Sequence, residues 1–388
     1  MAVGRSSSVR ISVPGGLYLA LALVASAVMF LAAGAVTSQL AASRRQAAGY
    51  AAVLLGLSYG LRMVADAGTG QHWLIWASPL GWVEQLQPLT GPHPWALAPI
   101  GVFTAALALL AVHLASHRDI GASTWPDRVA RPPRLWLLSG PAGLTVRLTG
   151  TLVTAWVAAL AVTGLLMGIV ARAAGTTIVG SSVQQVFSRL GAPGSGAAAF
   201  LGIAFLIIAI VLAFQPAALL NAARAEESEG RLEQLLAAQV SRSRWLWGRL
   251  GLAVGALVLS GAAAGAFAWI GTYTQGPGLS FPVVLEAGLN TVPPGILLLG
   301  LGSLGLALWP RFGIAAVYVV LGWSALIQLI GGFFAQDHWV LDTSLFHQMA
   351  SAPAVAPDWR TNGVLTGLGL TAMVLGGRAF LRRDLQGE

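Results

Sequence analysis

The sequence predicts an all-α polytopic membrane protein, and its composition and hydropathy pattern both support that fold class. Of its 388 residues, 56% are hydrophobic and only 9% are charged, whereas soluble domains carry about 25% charged residues. The apolar residues are gathered into about nine runs, each close to the roughly 20 residues that a helix needs to cross a bilayer. Because the chain has no cysteine, it can form neither a disulfide framework nor a thiolate metal site.

The apolar runs divide the sequence into two parts. Residues 1–120 contain three predicted spans, at about 17–36, 47–64 and 95–114. Residues 121–135 are polar, contain a Pro-Pro pair, and are predicted to be a cytoplasmic linker. Residues 136–388 contain six more spans, at about 148–170, 197–220, 246–273, 288–309, 312–334 and 361–381. We therefore predict a three-span partial first half, a linker, and a six-span second half.

An internal repeat relates the first half to the end of the second. At an offset of about 265 residues, His72-Trp73 aligns with His338-Trp339 and Trp95 aligns with Trp359. Histidine and tryptophan are rare in this composition, and the order of spans and loops is kept along the overlay. The six-span half is therefore predicted to be the full repeating unit, and residues 1–120 a partial copy of it.

Residues 221–249 form the one dense polar segment between two apolar runs. Four of the 14 acidic residues fall within eight positions here, and the whole segment also contains five arginines. They are Glu226, Glu227, Glu229, Glu233, Arg224, Arg231, Arg242, Arg244 and Arg249. Leu232, Leu235 and Leu236 recur at helical spacing, which predicts an amphipathic helix. Such a segment must lie outside the hydrocarbon and is suited to contact a soluble partner.

The arginine distribution predicts the orientation, because basic residues are enriched in cytoplasmic loops. Placing residues 221–249 in the cytoplasm puts most of the basic residues there, together with the C-terminus. The tryptophan- and histidine-bearing loops 66–94 and 335–360 then lie outside. The repeat puts the N-terminus outside as well, whereas Arg5 and Arg10 favour the inside, so its side stays open.

The absence of lysine limits the chemistry of the chain. Its net charge of +8 comes entirely from arginine, and a Walker A loop requires a lysine. We therefore expect no ordinary ATP site in this chain. No cofactor and no enzyme activity of its own are predicted either. The high pI of about 11.1 reflects arginines at membrane boundaries, and no basic patch with interleaved aromatics points to nucleic acid.

The charged segment resembles the cytoplasmic motif of type-2 ABC exporter permeases, in which an E-E-x-x-G-x-x-E pattern follows the second span. Glu226, Glu227, Gly230 and Glu233 match this pattern. The following residues 240–245 and the outer tryptophan loops are most similar to actinobacterial permeases of antibiotic or multidrug exporters. The resemblance implies a multi-pass protein of the bacterial inner (plasma) membrane that exports small hydrophobic compounds.

The resemblance also implies a separate ABC ATPase subunit that docks at this segment. Glu226, Glu227, Gly230, Arg231 and Glu233 are the residues expected to couple the two subunits. Family members of this kind usually carry two six-span halves, whereas this sequence has nine predicted spans and one copy of the motif. We therefore expect a form lacking the first three of twelve spans, in which self-association would restore a second coupling segment.

Two other functions remain open. A secondary transporter would need ionisable residues at mid-membrane, and the predicted spans contain almost none. A membrane-embedded enzyme would use the outer loop 335–360, where Asp337, His338, Asp342 and His347 could act as acid and base or bind a metal.

Glycines at four-residue spacing predict close helix packing. The pairs are Gly251/Gly255 and Gly261/Gly265 in one span, with Gly363/Gly367 in another. We interpret them as packing sites and not as a substrate path.

Overall fold

The computed structural model describes residues 13–67, 72–88, 91–116, 141–177, 196–228, 241–274, 278–334 and 338–382. These residues form helices and turns, and no strand occurs among them. Nine of the described helical segments are long and apolar enough to cross a membrane. The predicted fold class is therefore confirmed, with the predicted number of spans found in the described part of the chain.

The chain divides into two compact units, Met1–Pro133 and Arg134–Glu388. Unit 1 contains α1 (Val13–Leu40), α2 (Arg44–Ala67), α3 (Pro79–Glu84) and α4 (Leu97–Ser116), with short 3-10 helices at His72–Ala77 and Pro94–Ala96. Helix α1 packs against α2 and α4. The Tyr18 hydroxyl of α1 donates a hydrogen bond of 2.7 Å to the carbonyl oxygen of Leu86, which fixes the loop after α3 to the bundle.

Unit 2 contains the remaining helices. They are α5 (Pro141–Thr177), α6 (Ala197–Leu212), α7 (Phe214–Ser228), α8 (Arg242–Tyr273), α9 (Phe281–Leu289), α10 (Val292–Leu308), α11 (Gly313–Phe334), α12 (His338–Asp342) and α13 (Trp359–Arg382). Its most extensive helix contacts are between α5 and α8 and between α10 and α13. The segment formed by α9 and α10 is the most deeply buried of the candidate spans, so it lies at the centre of unit 2.

Proline divides one of these spans. Helices α6 and α7 form a single candidate span, Ala197–Ser228, but α6 ends at Leu212 and α7 begins at Phe214. Pro216 has no backbone N–H, so it cannot bond to the carbonyl of Leu212 four residues earlier. The break therefore lies where the sequence removes a helical hydrogen bond.

The loops that follow α2 and α11 share a local structure. The Ser78 hydroxyl donates to the carbonyl oxygen of Ser58 at 2.6 Å, and the Ser344 hydroxyl donates to the carbonyl oxygen of Ser324 at 2.9 Å. Both bonds span 20 residues, and equivalent serines are related by the offset at which the sequence overlays on itself. The two loops thus fold back onto the preceding span in the same way.

Arg62 contacts two carboxylates that come from different elements. Its Nε lies 3.6 Å from the Asp66 carboxylate, at i, i+4, but only 2.5 Å from Oε2 of Glu84. The short helix α3 brings Glu84 beside α2, so the closer partner comes from a different element.

Helix α13 begins at a carboxylate cap. The Thr361 hydroxyl donates to Asp358 Oδ2 at 2.7 Å, and the backbone N–H of Arg360 donates to Oδ1 at 3.0 Å. These hydrogen bonds favour the ionised carboxylate and lower the pKa of Asp358 below its usual range. An ionised cap also satisfies an N–H group that the first turn of the helix leaves unpaired.

The predicted packing glycines fall into two groups. A Cβ at Gly261 would lie 2.8 Å from the carbonyl oxygen of Gly288, and one at Gly265 would lie 2.9 Å from that of Val284, so both sit at a close contact of α8 with α9. By contrast, a Cβ at Gly251, Gly255, Gly363 or Gly367 would meet nothing within 4 Å. The prediction was wrong for these four, because their faces of α8 and α13 meet no neighbouring helix in the described part of the chain.

Candidate functional site

The charged segment joins the end of α7 to the start of α8. Of its predicted coupling residues, Glu226 and Glu227 lie in the last turns of α7. Gly230, Arg231 and Glu233 fall in 229–240, outside the described residues. We call the end of unit 2 where α7 ends and α8 begins the charged end.

Glu226 is buried at the charged end, although an exposed acidic face was expected there. Its residue surface is 8% exposed, and that of Arg249 on α8 is 7% exposed. Arg249 Nη2 donates to Glu226 Oε1, and Trp245 Nε1 donates to Oε2 at 3.4 Å. Glu226 faces inward because it lies on the same side of α7 as the buried Leu219 and Ala223.

This ion pair connects the two spans that border the charged segment. Glu226 lies two residues before the end of α7 at Ser228, and Arg249 lies two turns into α8. Removing one member of a buried ion pair leaves an uncompensated charge, whereas replacing both by apolar groups is often neutral. The pair therefore fixes how α7 meets α8 without necessarily adding net stability.

Further contacts at the charged end hold α8 to α13. The Arg242 guanidinium donates to the carbonyl oxygen of Phe380 at 3.2 Å and lies 5.4 Å from the centroid of its ring. The Trp245 and Phe380 rings stack with centroids 6.0 Å apart. On α7, Arg224 donates to the carbonyl oxygen of Arg311 at 3.4 Å. The charged end is thus in contact with several helices of unit 2.

A small cavity lies beside the ion pair. Its volume is about 30 Å³, and its lining is almost entirely apolar, with Arg249, Thr149 and Ser303 among the few polar side chains. The lining comes from α5, α7, α8, α10 and α13. The cavity is large enough for one or two water-sized groups.

The described residues of loop 335–360, which the enzyme alternative would use, contain one weak ion pair. His347 Nε2 lies 3.8 Å from Asp342 Oδ1, while Asp337 falls outside the described residues. Among the residues that the structure describes, no group of three or more His, Asp or Glu side chains could hold a metal ion. Ser344 in this loop donates to the backbone carbonyl of Ser324 at 2.9 Å.

Sequence reasoning missed the partners of the charged residues. Arg249 and Trp245 were visible as members of the segment, but their contact with Glu226 depends on how α7 and α8 are rotated against each other. Gln215 was also missed. It is fully buried. A single glutamine within a long apolar run is the feature of the sequence that could have marked it as a candidate functional residue.

These observations define an α-helical polytopic membrane protein with a charged connection between two of its spans, and comparisons with known proteins identify its family. Residues 138–381 match the family described as the multidrug efflux system permease Rv1217c, C-terminal domain. The chain therefore belongs to this family of multidrug efflux permeases.

A relative extends the match beyond unit 2. The multidrug efflux system permease protein Rv1217c of Mycobacterium tuberculosis is 34% identical over 382 residues. The alignment covers 96% of this chain and 68% of that protein. The predicted membership of a multidrug or antibiotic exporter permease family is confirmed, and so is the assignment to multi-pass membrane transport proteins.

Proposed function

We propose that this permease is the membrane subunit of an ABC exporter that moves hydrophobic compounds, including antibiotics, out of the cell. ATP would be hydrolysed on a separate subunit that docks at the charged segment, residues 221–249. The observation that carries the proposal is the buried Glu226–Arg249 pair, which joins this segment to two spans.

The coupling residues take different roles in this proposal. Glu226 is occupied within the bundle, so it acts on the partner indirectly, by holding α7 to α8. Glu227 is only partly buried, and it is one residue closer than Glu226 to the rest of the charged segment. Glu227, Gly230, Arg231 and Glu233 then form the surface that meets the ATPase, while Glu226 and Arg249 pass its movement to the spans.

Orientation follows from the same proposal. The charged end faces the cytoplasm, where an ATPase has access to ATP, and the C-terminus after α13 lies on the same side. The membrane is the bacterial inner membrane, and the two loops held by Ser78 and Ser344 lie outside. Two copies of the chain would present two coupling segments.

The test separates docking from folding by leaving Glu226 in place. The chain is co-expressed with its proposed ABC ATPase subunit. The variant Glu227→Gln/Glu233→Gln is compared with Glu286→Gln, which changes an exposed carboxylate on α9. We expect the double variant to lose co-purification with the ATPase. It should also lose ATP-driven uptake of a hydrophobic antibiotic into inverted vesicles, while its membrane insertion is unchanged. The Glu286 variant should behave as the parent chain.

Two outcomes would contradict the proposal. Unchanged co-purification and uptake in the double variant would remove the role of the charged segment. Uptake that needs no ATP and stops when a proton or sodium gradient is dissipated would instead identify a secondary transporter.

A further inference from the structure

Three deeply buried polar side chains on α7 and α8 have atoms without a hydrogen-bond partner in the protein. Gln215 and Ser260 are each 0% exposed, and Arg249 is 7% exposed. The unpartnered atoms are Nε2 and Oε1 of Gln215, Oγ of Ser260, and Nε and Nη1 of Arg249. Such groups are rare in folded proteins, and each one calls for an explanation.

Helical geometry places these side chains on related faces. Gln215 precedes Glu226 on α7 by eleven residues, and Ser260 follows Arg249 on α8 by eleven residues. Eleven residues are about three turns and about 16 Å of an α-helix. Since Glu226 and Arg249 contact each other, Gln215 and Ser260 lie on the same inward faces of α7 and α8 as this pair. Both side chains are at a similar depth. Their distance from the Glu226–Arg249 pair is about half of the 30 Å thickness of a hydrocarbon core.

A membrane environment makes unsatisfied groups at this depth costly, because lipid tails offer no hydrogen bonds. Apolar side chains of the same shape would be neutral or better if stability alone had selected these positions. Ser303, in contrast, is buried and donates to the carbonyl oxygen of Gly300 at 2.9 Å. The unpartnered donors and acceptors of these buried side chains on α7 and α8 are therefore better explained by a ligand than by packing.

Charge and shape restrict the class of ligand. Glu226 neutralises Arg249, so the site carries no net charge and favours an uncharged group over an ion. Gln215 offers both a donor and an acceptor, Ser260 offers the same, and Arg249 adds donors. The cavity beside Arg249, which Gln215 and Ser260 do not line, is otherwise almost wholly apolar. An apolar molecule that carries an amide or carbonyl group matches this combination.

We propose that Gln215, Ser260 and Arg249 form a binding track that receives the uncharged polar group of the exported compound. This inference rests on the proposed function and names its substrate class: apolar compounds bearing amide or carbonyl groups. The cavity of about 30 Å³ is too small for such a molecule, so α7 and α8 must separate to admit it. These are the two helices that the charged segment joins, so binding and coupling involve the same movement.

Photolabelling of the full chain in lipid nanodiscs tests the track without an ATPase. Two probes are compared: an alkyl diazirine carrying a primary amide, and the same diazirine with a methyl group in place of the amide. We expect the amide probe to label peptides around residues 215 and 260 about fivefold more than the methyl probe. A fivefold ratio corresponds to about 1 kcal/mol, the net value of one hydrogen bond.

Gln215→Leu and Ser260→Ala should each reduce this excess labelling while the thermal midpoint stays the same or rises. Thr291→Val, which removes a buried hydroxyl that donates to the carbonyl oxygen of Gly288 at 2.6 Å and lies outside the cavity lining, should keep the excess. Equal labelling by both probes would overturn the proposal, and so would an excess that survives in Gln215→Leu. A clear fall in the thermal midpoint of Gln215→Leu would also overturn it, since the amide would then have partners within the protein. Excess labelling without ATP-driven export would instead count against the proposed function alone.

Discussion

At the scale of single residues, Glu226 decides how the charged segment is attached to the membrane domain. Its carboxylate accepts hydrogen bonds from both Arg249 and Trp245, and the Arg249 guanidinium lies 5.8 Å from the Trp245 ring centroid. A charged side chain taken out of water is tolerated only with such partners. The three side chains thus behave as one unit, in which each substitution changes the surroundings of the other two.

Breaking this pair from one side should destabilise the protein strongly. We expect Arg249→Met to lower the free energy of unfolding by about 3–5 kcal/mol, because Glu226 remains buried without a counter-charge. Glu226→Leu/Arg249→Met removes both charges and should recover most of that loss. Thermal unfolding of the purified chain in nanodiscs measures both effects.

Arg378→Met provides the matched control, since Arg378 is an exposed arginine on α13. It should leave the unfolding midpoint nearly unchanged. If Arg249→Met were as stable as the Arg378 variant, the Glu226–Arg249 contact would have no structural role.

At the scale of the helices, close backbone approach explains the glycines of α10 and α13. A Cβ at Gly369 would lie 2.7 Å from the carbonyl oxygen of Ile296 and 2.8 Å from the Cα of Leu297. Backbone atoms cannot rotate away as a side chain can, so the two helices would have to move apart. Small residues serve this purpose in membrane helices, where packing and not water exclusion drives association.

Gly369→Ala should therefore destabilise the protein by about 1–3 kcal/mol through overpacking. Gly367→Ala, two residues earlier on the same helix, would meet nothing within 4 Å. It should be neutral or stabilising by up to about 1 kcal/mol, because alanine favours the helix. The difference between the two midpoints in a thermal unfolding experiment checks the packing. Equal midpoints would show that α10 and α13 do not approach closely at this position.

At the scale of the whole molecule, the proposed orientation can be tested with single cysteines, since the natural chain has none. Ser228 and Ser43 are exposed at positions expected in the cytoplasm, and Ser280 is exposed between α8 and α9 at the opposite face. A membrane-impermeant thiol reagent should label Ser280→Cys in intact cells. It should label Ser43→Cys and Ser228→Cys only after the membrane is permeabilised, and labelling of Ser228→Cys in intact cells would reverse the topology.

The sequence by itself determined the fold class, the number of spans in the described part of the chain, and the position of the charged segment. These are properties of length and composition along the chain: a run of about 20 apolar residues crosses a bilayer whatever its neighbours are. The alignment of Ser58 and Ser78 with Ser324 and Ser344 is likewise a relation between positions along the chain, and in the structure both pairs make the same bond.

Only the tertiary structure decided which faces of the helices meet. It paired Glu226 with Arg249, brought Glu84 closer to Arg62 than Asp66, and separated the packed Gly265 from the unpacked Gly367. In a soluble protein the polar stripe of a helix shows which side faces inward. In a membrane both lipid and core are apolar, so the sequence of a span does not reveal its rotation, and the contacts of buried polar residues follow from that rotation.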